Sequence, residues 1–453
     1  MSAEAPSLPV VDSNPVSTLA VIGRILSQAA PLAIAACILS ALNLGMLAVL
    51  SRHGDLEAIY LTSLMQPAFF FVIAVMEGLA ITNQVFAAKS KHAWPKRSIL
   101  TSSRILSGFG IAVISTIALL SWILSKTVAT ETRTYALIGA YLPLTLLSMT
   151  AFVAFEVHHG ALRGRGRALL GLVPFGLAAG LSILCTWVLL RSLELGFEAV
   201  LIGNFVGPFL MLPVVVVLLH REARNGEFMT AGDFSKRIRQ LLKTVGMPVF
   251  SSVIVASIGA AVLFPVLDGF GEDDISAFLV IVRLRAAFMI PAIAAGSAIA
   301  ILINQTGRGL GSISARRYLA TGMPMFIGFY ALATAALYFN QSIAISAIVP
   351  ERAEALNSAS QELLFLLLPT FFLIPCSVLV QIILEQVGDG IKVFLLSSII
   401  EVLTVCAVIF AVVQDKPLVF ICLILTVSAS LAFILLVLRI CLISRTWESP
   451  DAV

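Results

Sequence analysis

The amino-acid sequence predicts an all-α integral membrane protein, with about twelve transmembrane helices in two parallel six-helix repeats around a central cleft. Three observations carry this. Of 453 residues, 59% are hydrophobic and 12% charged, with mean hydropathy +1.02, whereas a soluble domain carries about 25% charge. The apolar runs are continuous and long enough to cross a hydrocarbon core of roughly 30 Å at about 1.5 Å per residue. They lack the period-two alternation of barrel strands, so helices are left as the way to pair the backbone in lipid. Finally, features of the first half recur, in order, in the second.

Read along the chain, the spans fall near 29–51, 60–83, 99–124, 135–157, 168–190, 199–219, 240–266, 277–303, 318–339, 361–384, 392–413 and 417–441. Residues 1–18 are polar, hold Pro6, Pro9 and Pro15, and read as a disordered tail. Glu4 and Asp12 stand where a signal peptide would carry positive charge. The expected organisation is a first lobe at 19–219, a charged linker at 220–239, a second lobe at 240–445 and a short tail at 446–453.

Charge gives the orientation. With the amino terminus inside, the even-numbered loops and both tails hold 21 of the 29 Lys and Arg residues, and the odd-numbered loops hold 6. Arg283 and Arg285 lie inside a span. That asymmetry predicts cytoplasmic termini, and a bacterial inner membrane is the expected location. The net charge of +4 then reflects topology and gives no reason to expect nucleic acid as a partner. The expected partners are the bilayer and a small-molecule substrate, with the chain acting as a monomer.

The halves match at an offset of about 220. Pro31 pairs with Pro248, Gly54 with Gly271, Asn83-Gln84 with Asn304-Gln305, and Lys96-Arg97 with Arg316-Arg317. Pro143 pairs with Pro369, and Gly164-Arg165-Gly166 with Gly388-Asp389-Gly390. Six spans per half is an even number, so both halves start on the same side and form parallel repeats. Such repeats suit a transporter whose lobes move about a site near the midplane.

Three stretches carry a family resemblance. They are Asn83-Gln84-Val-Phe-Ala-Ala-Lys, Leu162-Arg163-Gly164-Arg165-Gly166-Arg167, and Arg283 followed by Pro291 and Asn304-Gln305-x-Gly307-x-Gly309. In this the chain resembles the multidrug and toxic compound extrusion (MATE) family, within a superfamily that includes polysaccharide and lipid flippases. The resemblance covers about residues 20–445. It implies twelve helices in two lobes and export of organic, often cationic, compounds in exchange for protons or sodium. The first, second, seventh and eighth spans are placed by it at the cleft. The chain departs from the family where coupling chemistry is expected. Met46 of Asn43-Leu44-Gly45-Met46 stands where many members carry Asp. Pro248 is followed by Val-Phe-Ser251-Ser252, where a Glu is common, and Arg285 replaces a frequent acid.

An ionisable group deep in a span is costly and marks function by default. Glu77 of the second span and Glu401 of the eleventh are the expected ion-coupling residues, for a proton or Na+. Glu77 is twelve residues from Lys89, roughly 18 Å along a helix, so it does not reach the surface; the blander alternative is a partnered structural carboxyl. The expected substrate cleft comprises Asn43, Met46, Gln66, Ser252, Arg283, Arg285 and Gln381. Arg283 and Arg285 are two apart and point about 200° from each other, and Arg285 can pair with a carboxylate, favour an anion or snorkel outward. Asn204 is a further polar group that could bridge helices. Glu156, His158 and His159 read as a solvated helix end, and Asp268, Glu272, Asp273 and Asp274 as a solvated loop.

The six cysteines are scattered through apolar spans without a Cys-x-x-Cys pair, so neither a disulfide framework nor a metal site is expected. No cofactor is expected, and no catalytic residue. The chain has no Walker sequence, His-Glu-x-x-His or Gly-x-Ser-x-Gly, which argues against an enzyme. The reading is a secondary active transporter that exports a drug or secondary metabolite by alternating access. Its rivals are a lipid-linked saccharide flippase of the same superfamily, which the two arginines favour, and a membrane scaffold or enzyme.

Overall fold

A computed structural model describes residues 17–127, 132–267, 272–306, 314–346 and 354–446. Most of both expected tails, Asp268, Gly271, Gly307 and Gly309 lie outside the described residues. Among the described residues there are only helices and their connections.

The first span is Thr18–His53, capped at its start by the Ser17 hydroxyl. Gly54 ends it in the left-handed region (φ 79°), and Asp55 at once caps the next helix by accepting from the Ala58 amide. The second span is two helices, Leu56–Leu64 and Gln66–Lys89, broken at Met65. The third is Ser98–Thr127. The fourth breaks at Met149 into Arg133–Ser148 and Thr150–Gly164. The fifth and sixth are Ala168–Leu193 and Phe197–Ala223.

The seventh span begins inside the stretch expected to link the lobes. Helix Ala231–Leu241, capped by Thr230, buries Phe234, Ile238 and Leu241 at helical spacing. It runs through a π-turn, Leu242–Gly246, into Met247–Leu267. The eighth and ninth spans are Glu272–Asn304 and Ala315–Phe339, and a short helix, Gln341–Ser346, follows. The tenth, Glu354–Leu384, passes through a second π-turn, Glu385–Asp389, into the eleventh, Gly390–Val413. Gly388, at φ 106°, turns the chain there. By length and apolarity the described residues give eleven candidate membrane spans, because Leu356–Val413 counts as one; that turn divides it, giving twelve. The last span is Leu418–Thr446.

The chain is thus a multi-pass membrane protein, and its exterior agrees. Leu119, Leu120, Leu332 and Phe410 are more than half exposed, as lipid-facing residues are. The interior falls into four apolar clusters whose membership shows how the lobes meet. On the side that carries both termini, the clusters cross between lobes. Val21, Ile25, Ala29 and Leu32 of the first span bury with Ile299, Tyr330, Leu379 and Ile440 of the second lobe. Reciprocally, Ile238, Leu241 and Val245 of the seventh span bury with Phe86, Phe155 and Leu162 of the first. On the far side the clusters separate. Leu50, Leu61, Leu190 and Phe197 form one within the first lobe, and Ile281, Leu364, Val408 and Ile421 one within the second. The lobes therefore join on the terminal side and part on the other, leaving a cleft open to the far side.

Candidate functional site

Where the lobes join, glycine lets two helices touch. A Cβ on Gly78 of the second span would lie 2.8 Å from the Gly246 carbonyl oxygen of the seventh. Just beyond, a cavity of about 140 Å³ lies between the lobes. Its first-lobe wall includes Glu77 and Gln84 from the second span, two helical turns apart on one face, and Phe152, Glu156 and Arg163 from the fourth. Its second-lobe wall includes Ile293, Ala294 and Ser297 of the eighth span, and Gln386.

The first-lobe wall is charged. Glu156 is 4% exposed and accepts from Arg163 Nη2 at 2.6 Å and His159 Nδ1 at 3.0 Å. His159 is 1% exposed and stacks against Phe155 and Phe175. His158 lies beside it, with Nδ1 2.8 Å from the Ala154 carbonyl. The expected solvated helix end is therefore corrected: the fourth helix runs on to Gly164 and buries all three residues. A carboxylate this deep needs its partners, since removing one from a buried pair costs about 3–5 kcal/mol. Glu77, by contrast, lines the same cavity with no hydrogen bond or ion pair of its own among the described residues. The cavity thus holds one satisfied carboxylate and one available carboxyl.

The seam that closes the terminal side is polar but mostly uncharged. Gln84 Nε2 donates across it to Ser297 Oγ at 2.9 Å and to Gln386 Oε1 at 3.0 Å. Gln305 Nε2 donates to the Gly164 carbonyl at 2.6 Å, and Lys91 Nζ to Gln305 Oε1 at 2.9 Å. Arg24 Nη1 reaches Tyr318 Oη at 3.5 Å. Beyond the second span's end, burial and then the guanidiniums of Arg165, Arg24 and Arg167 pull the Lys91 amine below the ordinary lysine range. Each such bond contributes about 1 kcal/mol net, so the seam can both hold and release. Gln84 and Gln305 are the repeat-related glutamines, and each reaches into the opposite lobe.

The expected site residues divide into three groups. Glu77 lines the cavity. Asn43, Gln66 and Arg283 are exposed residues on the first, second and eighth spans. The others lie within the lobes. Met46 is 6% exposed, against Gly203 of the sixth span. Arg285 turns into the second lobe, with Nη1 3.4 Å from Thr370 Oγ1. Glu401 rests on Gly259 of the seventh span, where an added Cβ would meet its carboxyl. Ser252 and Gln381 donate to Glu385 at 3.2 and 2.9 Å. Glu385, 5% exposed, is a further deep carboxyl that sequence reasoning missed. The tenth span was expected to end at 384, and the π-turn that carries Glu385 inward has no sequence signature. Arg163 was visible in its Leu-Arg-Gly stretch, but its partner Glu156 was not.

By sequence, no protein-family model and no curated protein matches the chain. Solved structures do. A MOP superfamily transporter from Pyrococcus furiosus superposes with TM-score 0.75 at 18% identity, over 95% of this chain and 97% of that one. The Vibrio cholerae MATE transporter VcmN in its bent form gives 0.77 at 14% identity, over 96% and 100%. A multidrug resistance MATE transporter in an outward-facing conformation gives 0.71 at 17%, over 96% and 99%. The chain has the fold of these MOP superfamily and MATE transporters.

Proposed function

We propose that this chain is a secondary active transporter that exports a small organic compound by alternating access, driven by protons entering through Glu77. The observation that carries the proposal is the asymmetric junction of the lobes: shared apolar clusters and hydrogen bonds on the terminal side, separate clusters on the far side. A cleft open on one side, closed by a seam of weak bonds beside an available carboxyl, has the elements that alternating access needs. Protonation of Glu77 removes a charge from the cavity that Gln84 also lines. A difference of a few kcal/mol between the two lobe arrangements shifts their populations decisively. The positive-charge asymmetry supports cytoplasmic termini, so the open side would face outward.

The test uses the full chain in liposomes with an imposed pH or sodium gradient. Gradient-driven dye or drug flux is expected. Lipid flipping without gradient dependence favours the flippase reading, and flux driven by sodium alone refutes proton entry through Glu77. A protein that moves neither solute nor lipid refutes transport.

A further inference from the structure

Arg283 and Arg285 stand on opposite faces of the eighth span. The cavity-lining face of that span is marked by Ala294 and Ser297. At about 100° per residue, Arg283, eleven residues before Ala294, falls within about 20° of it and about 16 Å further out. Arg285 falls about 180° away, as its contact with Thr370 inside the second lobe requires. Arg283 is exposed and has no ion pair among the described residues. A guanidinium at such a place belongs in a water-filled cleft, because hydrocarbon is costly for it.

At its depth the first and second spans offer it amides and no carboxylate. Gln66 lies eleven residues before Glu77, so it shares Glu77's face at about 16 Å from it. Asn43 lies seven residues beyond the cavity-lining Ala36, again about 20° round. No Asp or Glu occurs in 34–53, 66–76, 247–263 or 275–304, the middle stretches of the four cleft spans; Glu57 and the run Glu272-Asp273-Asp274 stand beyond them, at the far ends of the second and eighth spans. At the depth of Arg283 the cleft therefore presents this guanidinium with the amides of Gln66 and Asn43 on the facing spans, above an apolar stretch at Ala287 and Ile290. Glu77 and Glu156 lie at the bottom, and Glu401 packs on Gly259 of the seventh span.

We propose that Arg283 is an anion-recognition point and that the transported compound carries an anionic oxygen group, a carboxylate or phosphate, joined to an apolar body. Guanidinium pairs with either in the same bidentate geometry. This rests on the transporter reading for the word transported; the binding claim stands apart from it. The anion can come from a soluble organic acid or from a lipid-linked phosphate.

The test is equilibrium binding to the full chain in nanodiscs, with no gradient. The probes are a fluorescent arenecarboxylate, its neutral methyl ester, a cationic analogue of the same body, and an isoprenyl phosphate. Loss of one charge-assisted pair weakens binding by about tenfold. Wild type should therefore prefer the carboxylate or the isoprenyl phosphate to the ester by about tenfold. Arg283→Gln should erase that preference, Arg283→Lys should keep part of it, and Arg285→Gln should keep it whole. Preference for the carboxylate identifies a soluble anion, and preference for the isoprenyl phosphate alone a lipid-linked one. Equal binding of both anions and the ester by wild type overturns the proposal without any variant, as does tighter binding of the cation. An anion preference that survives Arg283→Gln also overturns it. Anion binding without flux in liposomes would sink transport and leave the recognition point standing.

Discussion

The two lobes repeat one architecture and fill it with opposite chemistry. Each turns from its fourth to its fifth span through a left-handed glycine, Gly166 at φ 78° and Gly388 at φ 106°. Each ties that turn to the end of its own sixth span by an ion pair. In the first lobe Arg165 and Arg167 hold Glu222 at 3.2 and 3.3 Å. In the second, Asp389 holds Arg439 at 2.6 and 2.8 Å. The pair is kept and its sign reversed, so the duplicated fold demands the contact and not the residues. Deeper in, the lobes diverge further. The first buries Glu156 with Arg163 and His159 as its partners and leaves Glu77 available. The second satisfies Glu385 with neutral donors, Ser252 and Gln381. The comparison teaches where symmetry stops: the shell is duplicated, and the buried carboxyls are partnered differently in the two lobes.

The largest effect is expected where the lobes must part. In a background lacking the six native cysteines, Gln84→Cys with Ser297→Cys places thiols across the seam. Oxidation should abolish flux and reduction restore it. Full flux with the bridge shown by mass spectrometry would mean that the lobes do not separate there.

Arg163→Gln should come next. It leaves Glu156 with His159 alone, and unfolding should be easier by about 3 kcal/mol. The double variant with Glu156→Gln should regain most of that, because both charges are then gone. A single variant as stable as wild type would show that the two lobes' carboxylates are held alike.

Glu385→Gln sharpens the contrast from the other side. Its neutral partners can bond an amide as well, so stability should change by about 1 kcal/mol or less. Gradient-driven flux should persist. Loss of flux with the fold intact would move the ion chemistry into the second lobe. The smallest effect is expected at the reversed ion pair. Arg439→Ala should cost about 1 kcal/mol, as a partly exposed pair does, and Asp389→Arg with Arg439→Glu should recover it.

How far the sequence announced this follows from what each feature depends on. Spans depend on apolar length, and all twelve were placed. The seam glutamines were visible as a repeated Asn-Gln, because both copies end the second span of a half. The opposition of Arg283 and Arg285 was visible because it needs only helical periodicity. Glu156 was misread because its span was taken to end at 157, although the helix restarts at Met149 and continues to Gly164. Glu385 was hidden by a π-turn, which shifts a residue's face without any compositional mark. Ser252 and Gln381 were expected at the cleft as single polar residues. Only tertiary packing shows that they serve one carboxyl.

The central claim is that one available carboxyl in the first lobe couples flux to protons. It is tested most directly by Glu77→Gln in liposomes, with a pH gradient and wild-type substrate binding confirmed beforehand. The variant should bind substrate as wild type does, lose pH-driven export, and still equilibrate substrate down its own gradient, while Glu77→Asp keeps part of the pH-driven flux. Undiminished pH-driven export by Glu77→Gln, with Glu401→Gln or Glu385→Gln inactive, would contradict the account and place the proton in the second lobe.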